Sequence, residues 1–156
     1  MAMIPYGKQS INQSDIDSVV EVLRSDFLTQ GPVVPDFEVA VAEYCNADYA
    51  IALSNATSAL HLACLALGVG PRDKVWTSPI TFVASANCAL YCGAEVDFVD
   101  IDPGTVNISI DKLSHKLQKA KTLGLLPKVL VAVHFSGQPC EMEAIYALSL
   151  KYKFKI

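Results

Sequence analysis

A chain of 156 residues, 52% of them apolar and 18% charged, can bury one core and lies outside the low-hydropathy, high-charge composition of disordered segments. Sixteen acidic against twelve basic residues leave a net charge of −4, which argues against a nucleic-acid partner, because such partners call for a basic face. No run approaches the ~18 apolar residues of a membrane helix, and the start, MAMIPYGKQS, has no apolar signal core; with an odd count of five cysteines, the expectation is a cytoplasmic protein with reduced thiols and no membrane partner.

Residues 1–10 read as an irregular arm. A first helix is expected from about Gln13 to Ser25, with Asn12 as N-cap, Asp15 in the first turn, and Ile16, Val19, Val20 and Leu23 at helical spacing. Asp26 to Pro32 breaks it. A second helix follows from about Val34 to Asn46, with Phe37, Ala40, Val41 and Tyr44 as its buried stripe. Tyr49–Leu53 is a short apolar run, expected as a covered strand. Thr57–Leu67 reads as an apolar helix ending at Gly68, Lys74–Ser78 as a strand, Phe82–Tyr91 as a second apolar helix and Glu95–Ile101 as a strand leading to a turn at Asp102-Pro103-Gly104. Asp111–Lys121 is amphipathic, with Leu113, Leu117 and Ala120 inside. Lys128–His134 is an apolar strand, Glu141–Lys151 a helix, and Lys153–Ile156 the beginning of another strand. Strand and helix alternate, the pattern of an α/β fold with a mostly parallel sheet covered on both faces. Because the last strand is incomplete, the chain reads as part of a longer product.

Three junctions concentrate polar and small residues where a strand gives way to a helix, the place where open parallel sheets bind ligands. The first is Ser54-Asn55-Ala56-Thr57-Ser58-Ala59-Leu60. Taken alone it is either an ordinary N-cap run or an anion site, in which free amides at a helix start and the hydroxyls of Thr57 and Ser58 face a phosphate. No G-x-G-x-x-G and no Walker lysine accompanies it, so the dinucleotide and P-loop readings fail. The second is Thr77-Ser78-Pro79-Ile80-Thr81-Phe82-Val83-Ala84, where Phe82 is either a core residue at a helix start or a flat surface for a planar ring. The third is His134-Phe135-Ser136-Gly137-Gln138-Pro139, whose histidine either orients a ligand or hydrogen-bonds its own loop. Cys88 and Cys92 stand four apart on a helix, but no further Cys or His completes a metal site, and both are expected as core residues.

Six segments in order resemble the DegT/StrS family of pyridoxal-phosphate (PLP) dependent sugar aminotransferases: Ile4-Pro5-Tyr6-Gly7, Phe27-Leu28-Thr29-Gln30-Gly31-Pro32, Ser54 to Leu60, Ile80-Thr81-Phe82-Val83-Ala84, Phe98-Val99-Asp100-Ile101-Asp102-Pro103, and His134 to Pro139. The resemblance implies an aspartate-aminotransferase-type fold (PLP-dependent transferase fold I), with residues 1–46 as arm and flanking helices and residues 47–156 as the first half of the PLP-binding large domain. It implies that Ala56, Thr57 and Ser58 bind the cofactor phosphate and that Phe82 stacks on the pyridine ring. Tyr6, Asp26, Phe27, Leu28, Thr29 and Ala56 would contact the nucleotide sugar. Within the family the likeness is to members of pseudaminic acid biosynthesis, which aminate C4 of a UDP-linked 4-keto-6-deoxy sugar with glutamate as donor, usually as homodimers.

The lysine that forms the Schiff base in the family is expected beyond Ile156, so no catalytic residue is assigned within the chain and the chain by itself is expected to be inactive. None of its ten lysines is a persuasive substitute, since long exposed lysines stay protonated at neutral pH. Two other readings stay open: a sugar dehydratase of the same fold, and a non-catalytic nucleotide-sugar or partner-binding module.

Overall fold

The structure, a computed structural model, describes residues 7–156. It divides into two compact units, one reaching to Ala52 and the other running from Leu53 to Ile156. Tyr6 lies outside the described residues.

The first unit holds α1 (Gln13–Arg24) and α2 (Val33–Cys45). The start of α1 is closed by a capping box. The Asn12 side chain accepts from the N–H of Ser14 at 2.8 Å and of Asp15 at 3.3 Å, while the Asp15 carboxylate accepts from the Asn12 N–H at 2.9 Å. Residue Asn46 ends α2 in the left-handed conformation that asparagine tolerates (φ 49°). Neither helix has a buried residue. The expected α2 stripe therefore needs correction: Phe37 and Tyr44 are exposed, Tyr44 at 93%, as are Ile16, Val19 and Leu23 of α1. A helical stripe is buried only when another layer lies over it, and two short helices do not enclose one. Nor does Tyr49–Leu53 form the expected strand, because no ladder partner reaches it among the described residues. A strand is a pairing, and apolar sequence alone does not make one.

The second unit is built on three parallel strands: β1 (Lys74–Thr77) in the centre, β2 (Glu95–Phe98) on one side and β3 (Val129–Val131) on the other. Val75 stands opposite Val96 and Val129. The expected terminal strand is present as a parallel bridge beside β3: Leu130 N–H donates to the Lys155 carbonyl at 2.8 Å, and Lys155 N–H to the Lys128 carbonyl at 2.9 Å.

Period-2 alternation sorts the strand side chains between two helical layers. Val75, Val96, Val129 and Val131 pack against Leu60 and Cys64 of α3 (Ala56–Ala66) and Cys88 and Ala89 of α4 (Ala84–Tyr91). On the opposite face, Trp76 and Leu130 pack against Leu113 and Leu117 of α5 (Ile110–Leu123) and Ile145 of α6 (Met142–Tyr152). This division follows from handedness. The step from β1 to β2 goes one way and the step from β2 to β3 returns past β1, so right-handed crossovers place α4 and α5 on opposite faces. The reversal lies between β1 and β3, whose carboxyl ends flank the natural ligand crevice of such a sheet.

Lysines of α5 and of the β3 lead-in tie the edges. Lys112 pairs with Asp100 at 2.6 Å, Lys116 with Asp97 at 2.7 Å and Lys128 with Asp73 at 2.8 Å. Hydrogen bonds from Lys128 and Lys112 hold the carboxyls of Asp73 and Asp100 below their ordinary range. Burial pushes Asp97 up, but the Lys116 hydrogen bond, the Phe98 N–H and the lysine charges outweigh it and leave it lowered too. Groups depressed in the folded state contribute stability above the unfolded carboxylate pKa of about 3.9 and lose it as pH falls through the lower folded values. The urea midpoint is therefore expected to be level from neutral pH down to about pH 5 and to drop below about pH 4. A midpoint that rises on acidification would contradict these pairings.

Candidate functional site

The first turn of α3 is the centre of the site. Asn55 is extended (φ −170°, ψ 165°), and its side-chain oxygen accepts from the Ser58 N–H at 2.8 Å. The Ala59 N–H donates to the Asn55 carbonyl at 3.2 Å. The N–H groups of Ala56 and Thr57 have no acceptor among the described residues, and they stand at the positive end of the helix dipole. Ala56 is exposed and Thr57 and Ser58 are half-buried, so the turn is open and no packed side chain seals it. Since Asn55 takes the Ser58 amide, Ser58 can offer a ligand only its hydroxyl, whereas Thr57 offers both amide and hydroxyl. Asn55→Ala is expected to cost about 1 kcal/mol of stability through loss of the cap, read as a shift in the denaturation midpoint. No shift would mean that Asn55 does not cap α3.

Phe82 lies just before α4, which begins at Ala84 and not at Phe82 as the sequence pattern predicts. Pro79 lies in a bend that separates β1 from α4. Ser78 Oγ donates to the Ile80 carbonyl at 3.4 Å, and Thr81 and Ser85 share a hydroxyl hydrogen bond of 2.9 Å. Phe82 is 73% exposed, so it is not the core residue that one of its two readings expects. α3 leads into β1 and α4 leads out of it on the same sheet face, which sets the start of both helices at the carboxyl edge of β1. There the buried Thr77 hydroxyl donates to the Val131 carbonyl at 3.0 Å and straps β1 to β3.

His134 follows β3 at the same edge. Its Nδ1 accepts from the Cys140 N–H at 3.1 Å, so the histidine does bond its own loop. It also lines a 280 Å³ groove between α3 and β3, together with Leu60, Cys64, Val131, Ala132 and Met142. His61 is structural: its ring meets Tyr91 edge-on at 5.3 Å and joins α3 to α4. Cys88 is buried as expected, whereas Cys92, also expected in the core, is only half-buried; Cys64 and Cys140 are buried and Cys45 is exposed. Burial, with Cys88 beside it, pushes the Cys64 thiol up to about 12, which makes it an inert core group.

Of the residues expected to contact a nucleotide sugar, Asp26, Phe27, Leu28 and Thr29 belong to the first unit and are all exposed. Asp26 and Phe27 line a 640 Å³ concavity with Glu21, Arg24, Pro32 and Val33. Leu28 and Thr29 lie outside its lining. The turn behind them is tight: a Cβ on Gly31 would stand 2.9 Å from the Phe27 Cβ, so only glycine fits without a shift.

Residues 9–156 match the model of the DegT/DnrJ/EryC1/StrS aminotransferase family. The chain is 43% identical over 156 residues to the UDP-4-amino-4,6-dideoxy-N-acetyl-beta-L-altrosamine transaminase of Campylobacter jejuni, covering 99% of the chain and 40% of that protein. It is 40% identical over 146 residues to the spore coat polysaccharide biosynthesis protein SpsC of Bacillus subtilis, covering 94% of the chain and 36% of SpsC. Among solved structures, an aminotransferase from Psychrobacter cryohalolentis superposes with a TM-score of 0.83 at 34% identity, covering 96% of this chain and 37% of that one. NtdA from Bacillus subtilis, with bound cofactor PMP, superposes with a TM-score of 0.79 at 31% identity, covering 90% of this chain and 31% of that one. The chain thus spans about two fifths of the length of the curated relatives it matches. With a parallel sheet covered by helices, an open helix start and a match over nearly its whole length, the chain belongs to the DegT/DnrJ/EryC1/StrS aminotransferase family.

Proposed function

We propose that this chain supplies the cofactor-anchoring half of a PLP-dependent aminotransferase acting on a nucleotide-linked keto sugar. The observation that carries the reading is the open α3 start, with the Ala56 and Thr57 amides unpaired among the described residues and the exposed Phe82 ring leading into the neighbouring helix. A phosphorylated pyridine needs an anion anchor and a flat apolar surface, and these residues fit both needs. The Ala56 N–H, the Thr57 N–H and hydroxyl, and the Ser58 hydroxyl hold the phosphate; Phe82 orients the ring.

When bound, pyridoxal phosphate supplies the electron sink that lets an amino group pass between an amino acid and a keto sugar. This chain's part is to bind and aim. The amide pair fixes one end of the cofactor at a helix start that is itself held by the Asn55 cap. Tyr6 and the Asp26–Thr29 run contact the nucleotide sugar, and Ala56 meets substrate as well as phosphate. None of the ten lysines takes the part of the reactive amine. Lys74, Lys112, Lys116 and Lys128 are engaged in ion pairs with Glu95, Asp100, Asp97 and Asp73. The chain spans about two fifths of its curated relatives, and the reactive amine is not assigned among its residues. Residues 1–46 act as arm and flanking helices, and residues 47–156 as the first half of the large domain.

The likeness to the Campylobacter transaminase, which is named for a UDP-linked 4-amino-4,6-dideoxy sugar, supports amination at C4 of a UDP-linked 4-keto-6-deoxy sugar; glutamate as donor and a homodimeric, cytoplasmic enzyme complete the proposal. No helix among the described residues is long and apolar enough to cross a membrane. The test is an assay of the longer enzyme containing this chain with a UDP-4-keto-6-deoxy sugar and glutamate. 2-Oxoglutarate and a 4-amino sugar are expected in equal amounts. Loss of water from the sugar with no nitrogen incorporated would contradict the reading and favour a dehydratase.

A further inference from the structure

Asn107 is 5% exposed and lies between the Asp102 turn and α5. The Asp102 side chain accepts from the N–H of Gly104 at 2.8 Å and of Thr105 at 3.0 Å, and Val106 is forced into the left-handed region (φ 62°), where a β-branched residue is strained. The strained turn delivers the Asn107 side chain to a segment about thirty residues away. Its Nδ2 donates to the carbonyls of Gln138 and Pro139, both at 3.0 Å, and its Oδ1 accepts from the Phe135 N–H at 3.0 Å. Two donations and one acceptance fix the orientation of the amide by its partners.

The clamped turn does not hold its shape by local preference. Ser136 (φ 52°) and Gly137 (φ 83°) are consecutive residues in the left-handed region. At the head of this turn, His134 Nδ1 accepts from the Cys140 N–H, which leaves the ring proton on Nε2. His134 is exposed, and among the residues lining the α3–β3 groove it is the single ionisable group besides the Cys64 thiol. The groove runs from Leu67 and Val129 towards Leu60 and His134, and therefore towards the first turn of α3.

We infer that Asn107 is a positioning residue for the crevice: by clamping the turn after β3 it makes His134 a neutral Nε2–H donor of fixed direction, aimed at an oxygen of the ligand bound at the α3 start. What the donor meets rests on the cofactor reading; the clamp and the tautomer do not. An alanine at 107 leaves two carbonyls and one N–H without partners, and an aspartate keeps the acceptor for Phe135 while losing both donations.

The test is long-range proton–nitrogen NMR of the imidazoles in the 15N-labelled chain, with His61 and His115 as internal references. Wild-type His134 is expected as the Nε2–H tautomer. Asn107→Asp, which keeps part of the clamp, and Asn107→Ala are both expected to average its two nitrogen shifts while the His61 signals stay in place. A merely structural role would lower the melting temperature and leave the tautomer alone. Pyridoxamine phosphate, which carries the phosphate and ring without a reactive aldehyde, is then added. The wild-type Nε2–H resonance is expected to move at saturation, and in Asn107→Asp that response is expected to be lost while the Thr57 amide still responds. If wild-type His134 is Nδ1-protonated or averaged, the inference is overturned. It is also overturned if the Thr57 amide saturates while the His134 Nε2–H does not move. If the ligand does not bind wild type at all, the cofactor reading fails and the donor role falls with it, and a retained Nε2–H tautomer marks the failure as that of the reading and not of the clamp.

Discussion

Ala56→Pro is expected to weaken binding of pyridoxamine phosphate about tenfold to a hundredfold while leaving the chain folded. A hydrogen bond to a charged group is worth about 1.5–3 kcal/mol, and every 1.4 kcal/mol is a factor of ten in affinity. The substitution deletes one of the two amides proposed to meet the phosphate and little else. Ala56 is the first residue of α3, the position where proline is favoured because the helix leaves that N–H unused. Asn55 before it is already extended, the conformation proline demands of its predecessor. The cap from Asn55 to the Ser58 N–H is untouched. Titration of the ligand alongside a thermal melt separates the outcomes. Weaker binding with an unchanged melt is the expected pair, and unchanged binding would remove Ala56 from the anchor.

Phe82→Ala is the second substitution with a large expected effect on binding and little on folding. At 73% exposure the ring contributes little to the core, so its removal should move stability by no more than about 0.5 kcal/mol. Ring–ring contact adds about 0.5–1.5 kcal/mol beyond buried area, so affinity for pyridoxamine phosphate is expected to fall about threefold to tenfold. Affinity for inorganic phosphate, which has no ring, is expected to stay the same. Phe82→Tyr keeps the flat surface and should restore the ring-dependent part. A large fall in melting temperature with unchanged affinity would return Phe82 to the core.

The parallel sheet and its two helical layers were legible because local periodicity and global fold agree there. Leu113, Leu117 and Ala120 fall on one face of α5, and all three are buried. The capping box of α1 was half visible in Asn12 and Asp15, because a cap is a contact within one turn. Tyr49–Leu53 was misread because its apolar composition satisfies a strand pattern while the pairing that makes a strand is non-local. Phe37 and Tyr44 were misread for a related reason: the spacing defines a face, but only tertiary structure supplies the layer that covers it. At the site, the helix start and the aromatic residue were visible as residue types. That Asn55 consumes the Ser58 amide, and so restricts Ser58 to its hydroxyl, appears only in the geometry. Asn107 was missed altogether. Its sole local signal was an asparagine following an Asp-Pro-Gly turn, and its partners lie 28 to 32 residues away.

The account rests on a phosphate meeting the first turn of α3. Amide-resolved NMR of the chain during titration with pyridoxamine phosphate tests this most directly. Saturable shifts are expected at the Ala56 and Thr57 N–H groups, with a smaller response at Ser58, whose amide is held by Asn55. Shifts that leave Ala56 and Thr57 unmoved at saturation would contradict the account.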